Sequence, residues 1–376
     1  MRFHVLGLGP IGCLIAYNLR QTVSNKHPIT LVHKTAKHAA SVLNSSTPLS
    51  YERSGIVLQQ SGFLHEVSSD RHTTPSSSKT APIDSLIVCV KAHQTVSSIR
   101  ALVPRLTPDS TIVLMQNGMG IYEALIRDIF RNPDQRPHFV LASITHGAWL
   151  KDYMHVVHAG VGGIQLGIFP EAGTDFERSF PHLAMDDIAP EHAEPRSPSS
   201  RYASLRHTIA ALTGMEALNV EWQTFYNIQM AMRRKVVVNA VINPLTALMN
   251  CKNGEIFAHS SGQAICERVC MEASNAFRAQ HRAELVASKA SSRTRNTEFP
   301  YQLTTESLVK EVQRVAQVTA GNYSSMLMDI RQGRETEIGF MNGYLQTIGR
   351  KHHLQMPTNS LLMRLIDLRT RIPIRL

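Results

Sequence analysis

Long apolar runs are missing from this chain of 376 residues. No stretch reaches the ~18–20 residues a membrane-spanning helix requires, so a helical membrane protein is excluded. Cysteine is sparse: Cys13, Cys89, Cys251, Cys266 and Cys270 are odd in number and form no C-x-x-C pair. A disulfide framework is therefore not expected, and the chain reads as reduced and cytoplasmic. Charge is modest at 18%, against 43% hydrophobic residues and a mean hydropathy of −0.13, which is too apolar for a disordered chain. The N-terminus from Met1 runs directly into a glycine motif at Gly7, so no cleaved secretory signal is expected.

The balance of 39 Lys and Arg over 29 Asp and Glu gives +10. The basic residues are scattered rather than gathered into an arm, so anionic small molecules are expected as partners rather than nucleic acid or a membrane surface. His155 with His158, and His352 with His353, have no acidic or cysteine partner that completes a metal site, so no metal is expected. Cys266 and Cys270, four apart, read as small core residues on one helix face.

A chain of this length suggests about two domains. The first half alternates short apolar runs with helical patterns, and the fold class expected is α/β. Strands are predicted at Phe3–Leu6, Ile29–Val32, Gly55–Gln60, Phe63–Val67, Ser85–Val90, Thr111–Met115 and Phe139–Ile144, with a helix from about Ile11 to Gln21. Strands alternating with helices imply a doubly wound, Rossmann-like parallel sheet. Gly160–Phe169 reads as a hairpin, and Met215–Val220 as one last strand after a helix at Leu205–Leu212. The segment Glu171–Ser200, crowded with Pro, Ser, Asp and Glu, reads as a surface loop or insertion (about 171–204). From Phe225 onward helical patterns dominate, which places a dinucleotide-binding domain at 1–224 and an all-helical domain at 225–376.

Gly7-Leu8-Gly9-Pro10-Ile11-Gly12 fits G-x-G-x-x-G between a strand and a helix. The first glycine permits the tight turn, the second lets a pyrophosphate approach the backbone, and the third allows close helix–strand packing. An NAD site usually offers a carboxylate at the end of the second strand. This chain has His33-Lys34 instead, with Lys37 beyond, which suits the 2′-phosphate of NADP. Lys91 and Asn117 follow two later strands, where ligands bind in open α/β sheets. Farther on, Lys235, Asn239 and Asn243 recur at every fourth position between Val, Ala and Ile. At 100° per residue they share one helix face. Such a stripe is either a polar network between helices or the lining of a pocket. In a pocket, a protonated lysine can support and protonate the oxygen of a carbonyl under reduction, while the amides hold a substrate without titrating.

Together with these features, the segments GLGPIG, VKAHQT, QNGMG, SITHGAW, RRKVVVNAVINPLTALMNCKNGE and NYSSMLMDIRQGRETEIGFMNGYL resemble the ketopantoate reductase (2-dehydropantoate 2-reductase) family. That resemblance implies NADPH-dependent reduction of ketopantoate to pantoate in pantothenate biosynthesis. It implies Lys235 as general acid, and Glu337 as an acid that lines the cofactor side and orients Lys235. Asn239, Asn243, Asn253 and Ser325 would hold the substrate's hydroxyl and carboxylate. Asn117 would stand between cofactor and substrate, Lys91 and Ala148 along the nicotinamide, and Lys34 at the 2′-phosphate. A monomer or homodimer is expected. Two departures stand out: Gly339, where family members commonly have Asp, and the long 171–204 segment. A reductase of another 2-oxo acid, or a non-catalytic NADP(H)-sensing Rossmann protein, remain the alternatives.

Overall fold

The structure, a computed structural model, describes residues 1–45, 47–67, 81–179, 181–182, 188, 201–289 and 298–372. The Ser/Thr-rich stretches 68–80 and 197–200 lie outside the described residues. The chain folds as two compact units. One comprises Met1–Gln116 and Tyr122–Ile228, and the other Asn117–Ile121 and Gln229–Leu376. The boundary thus follows Ile228 rather than residue 224, and a five-residue piece of the N-terminal half belongs to the helical unit.

In the first unit the elements run β1 (Phe3–Leu6), α1 (Pro10–Thr22), β2 (Ile29–His33), α2 (Ala36–Ser45), β3 (Leu49–Arg53), β4 (Ile56–Gln60), β5 (Phe63–Val67), β6 (Ser85–Val88) and α3 (Ala92–Leu102). They continue with β7 (Thr111–Leu114), α4 (Ile121–Asp128), β8 (His138–Ile144), β9 (Gly147–Asp152), β10 (His155–Gly160), β11 (Ile164–Ile168), α5 (Ala203–Thr213) and β12 (Val220–Trp222). The main sheet has eight strands in the order β12-β11-β8-β7-β6-β1-β2-β5. From β8 to β5 all neighbours are parallel, and β11 is antiparallel to β8. Strands β1, β6, β7 and β8 are buried along their whole length, as parallel strands covered on both faces must be.

Three expectations are corrected here. Gly160–Phe169 is not a hairpin: Gly160 ends β10, while β11 pairs with β8 in the main sheet. The last strand begins at Val220, because Glu216–Leu218 forms a 3-10 turn and Asn219 takes a left-handed φ of 45°. The segment after Glu171 is not only surface, since Phe176 and Ile188 join the core. A second sheet, in the order β4-β3-β10-β9, takes the strand expected at Gly55–Gln60 as its β4, but its existence as a separate sheet is not read from the sequence. Helix α1 packs against β1 and β2 on one side and against β3, β9 and β10 on the other, with Tyr17 stacked on Tyr51 at 4.6 Å.

The second unit carries α6 (Phe225–Met249), α7 (Ser260–Lys289), α8 (Thr305–Val318), α9 (Ser325–Arg331), α10 (Asn342–Lys351) and α11 (Pro357–Arg371). Two polar devices hold these helices in register. Pro244 lies inside α6 and has no N–H to give Ala240 four residues back, so that carbonyl oxygen is free to accept from Asn342 Nδ2 at 2.9 Å. Helix α11 begins with Met356 at its N-cap, which offers no side-chain oxygen. The buried Glu272 of α7 substitutes, accepting from the backbone N–H groups of Thr358 (2.8 Å) and Asn359 (3.0 Å) and from Asn359 Nδ2 (2.7 Å). Asn342 also donates to Asn359 Oδ1, so the two devices join in one buried chain. Cys266 and Cys270 are fully buried on α7 with sulfurs 4.0 Å apart, as small core residues.

Candidate active site

Because β1, β2, β6, β7 and β8 are parallel, the residues leaving their carboxyl ends share one edge of the sheet. Chain order reverses between β1 and β6, which is where doubly wound folds take their ligands. Gly7 leaves β1 with φ +99°, and a Cβ on it would lie 2.6 Å from the Val90 nitrogen. A Cβ on Gly12 would sit 1.8 Å from the Gly7 oxygen, so the third glycine serves helix–strand packing. Gly9, the N-cap of α1, is different: a Cβ there meets nothing within 4 Å. No internal packing demands a glycine at that position, and the space it leaves open suits the close approach of a ligand. Leu8 is buried beneath the turn, Ile11 is half-buried, and Pro10 opens a helix whose first turn has no acidic residue. The residues present therefore fit a dinucleotide pyrophosphate.

Lys34 follows β2 directly and is exposed, as is Lys37. His33 is corrected: it cannot assist them, because it is fully buried in β2, with Nδ1 bonded to the Tyr153 hydroxyl (2.6 Å) and Nε2 to His65 (2.8 Å). Burial and the neighbouring histidines push its pKa down to about 4, so it stays neutral. Lys91 caps α3 just past β6, and Ala148 lies on β9 opposite His158. Among the described residues no group of three or more His, Cys, Asp or Glu is placed to hold a metal ion. His155 instead bonds Glu52 at 2.9 Å, and His158 lies between Tyr51 and His146.

In the helical unit, Lys235 and Asn239 are half-buried on α6 and Asn243 is buried. Burial pushes the Lys235 ammonium down to about 8, and the Glu337 carboxylate, itself buried, opposes that shift. The pair is what a proton donor near neutral pH requires: still charged, yet ready to release. No side-chain hydrogen bond among the described residues engages the Asn239 amide. Asn243 Nδ2 reaches only the Met341 sulfur at 3.6 Å, a weak acceptor. Ser325 is exposed at the start of α9. That helix is anchored by its neighbour Ser324, which accepts from Leu327 N–H (3.2 Å) and from the Thr246 hydroxyl (2.7 Å) of α6.

From the sequence, Gly118 and Gly120 suggest a close backbone approach beside Asn117, but its partner is not legible. Gly118 has φ +87°, and a Cβ on it would lie 2.7 Å from Phe340; the next residue, Met119, donates its N–H to the Phe340 oxygen at 2.9 Å. Asn117 is thereby tied to the short 3-10 turn that Glu337 precedes. The two glycines in QNGMG were the signal. Gly339, where a family member commonly has Asp, has room: a Cβ meets nothing within 4 Å.

The chain is similar to known proteins along most of its length. Residues 3–171 match the family described as ketopantoate reductase PanE/ApbA, and residues 227–370 match its C-terminal counterpart. A 2-dehydropantoate 2-reductase of Yersinia pestis is 30% identical over 282 residues, covering 75% of this chain and 72% of that protein. A probable 2-dehydropantoate 2-reductase of Schizosaccharomyces pombe is 26% identical over 368 residues, covering 96% and 94%. Among solved structures, D-mandelate dehydrogenase with NADH and anilino(oxo)acetate superposes with a TM-score of 0.72 at 17% identity, covering 99% and 98%, a likeness of fold. With both halves matched in tandem and a relative this similar, the chain belongs to the ketopantoate reductase family of oxidoreductases.

Proposed function

We propose that this protein reduces 2-dehydropantoate to pantoate with NADPH, with Lys235 as general acid. The observation that carries this reading is the half-buried ammonium of Lys235, held near a pKa of about 8 beside Glu337 and in line with two asparagine amides on one helix face. When bound, NADPH supplies the hydride. That chemistry leaves negative charge on the oxygen of the substrate's C2 carbonyl, and the chain's part is to stabilise and protonate it. Lys235 holds a proton at Nζ, still largely present at neutral pH, and its charge favours the alkoxide before transfer. Asn239 and Asn243 orient the substrate with amides that the protein leaves available, Asn253 and Ser325 complete the grip, and Asn117 borders the cofactor.

The cofactor reading rests on the glycine turn and on Lys34, an exposed cation where an NAD site would offer a carboxylate. Lys91 and Ala148 complete that side. The two units then divide the work: the sheet unit holds NADPH, and the helical unit holds the substrate and the proton. Loss of NADPH absorbance on addition of ketopantoate tests the proposal. Tight NADPH binding with no turnover would overturn it in favour of a sensor, and faster turnover of another 2-oxo acid would reassign the substrate.

A further inference from the structure

Asn253 opens a 3-10 turn after α6 and is only 7% exposed. Its backbone is clamped: Asn253 N–H donates to the Asn322 oxygen (3.0 Å), and Gly254 N–H to the Ala320 oxygen (3.2 Å). A Cβ on Gly254 would come within 2.6 Å of the Ala320 Cβ, so glycine alone lets the two segments close. The side chain is then set by one neighbour. Asn253 Nδ2 donates to Thr319 Oγ1 at 2.9 Å, and Thr319 Oγ1 donates its single proton to the Val315 oxygen at 2.7 Å. The hydroxyl therefore faces Asn253 with a lone pair, which an N–H satisfies and a carbonyl oxygen does not. The amide is locked with Nδ2 toward Thr319 and Oδ1 away from it. That oxygen is shielded from solvent and has no hydrogen-bond partner among the described residues.

We infer that Thr319 is a positioning residue for substrate specificity: it fixes the Asn253 amide so that the site offers a hydrogen-bond acceptor to the substrate's hydroxyl. The inference rests on the proposed function, with Asn253 against the substrate. At neutral pH a 2-oxo acid presents acceptors at its carboxylate and its carbonyl. In ketopantoate only the C4 hydroxyl can donate, so only that group matches Asn253 Oδ1. A shielded acceptor left unmatched penalises any analogue that lacks the hydroxyl.

The test compares kcat/KM for ketopantoate with that for 3,3-dimethyl-2-oxobutanoate, which lacks the hydroxyl, in wild type, Thr319→Val and Thr319→Ser. Sites built to bond a substrate hydroxyl discriminate strongly, so the wild type should favour ketopantoate by ~100-fold or more. Thr319→Val should cut that ratio by ~10-fold or more, mainly through the KM for ketopantoate, with the analogue changed less than ~3-fold, and Thr319→Ser should restore it. Both substrates are measured on one preparation, so the ratio does not depend on how much of it is folded. A ratio unchanged in Thr319→Val, or an equal fall for both substrates, overturns the inference while leaving the proposed function intact. A wild type that oxidises NADPH with neither substrate overturns the functional reading, and the inference with it.

Discussion

Replacing Glu337 with Gln keeps the shape of the side chain and removes its charge. In the wild type, burial drives the Lys235 pKa down to about 8 while Glu337 pulls it back up. A close opposite charge shifts a pKa by roughly 1–3 units. Lys235 retains some solvent contact, which screens the pair, so about one unit is the working figure. The sign is fixed by role. A general acid acts when protonated, so kcat/KM for reduction should be level below the Lys235 pKa and fall about tenfold per unit above it. The descending limb should lie near pH 8 in the wild type and near pH ~7 in Glu337→Gln, with similar plateaus in acid. The assay is NADPH oxidation at ketopantoate well below its KM from pH ~5 to ~10. An unmoved limb in Glu337→Gln would refute the electrostatic coupling, and a wild-type limb far from Lys235's pKa would remove that lysine as the acid.

Lys235→Ala should lose ~10²–10⁴-fold in kcat while binding NADPH with unchanged affinity, as read by nucleotide fluorescence; near-normal turnover would exclude its role. Lys34→Asp should lower the NADPH-over-NADH preference in kcat/KM by ~10-fold or more, since it puts a carboxylate where the 2′-phosphate is expected; an unaltered preference would move phosphate recognition elsewhere. Glu272→Ala removes the acceptor for three hydrogen bonds at the start of α11 and should destabilise the helical unit by ~3 kcal/mol, seen as a lower urea midpoint. A midpoint within error of wild type would mean that water caps the helix equally well.

Local pattern was enough for much of this protein. Apolar runs of four to seven residues marked the strands of the parallel sheet, because strands buried on both faces cannot alternate with polar residues. The glycine spacing identified the turn after β1, and the fourfold spacing of Lys235, Asn239 and Asn243 put them on one face, since helical geometry is set within a few residues. What the chain could not disclose depends on partners far away in sequence. His33 reads as a polar neighbour of Lys34 until Tyr153 and His65, 120 and 32 residues distant, close over it. The second sheet joins β3 to β10 across about a hundred residues, and no periodicity encodes that pairing. Asn117 follows a sheet strand, yet the two residues after it meet Phe340: Gly118 admits no side chain there, and Met119 donates its N–H to the Phe340 oxygen. The pKa of Lys235 and the direction of the Asn253 amide belong to the same class. Both arise from desolvation and from groups that only folding brings together, so composition and spacing could nominate these residues but not assign their protonation or polarity.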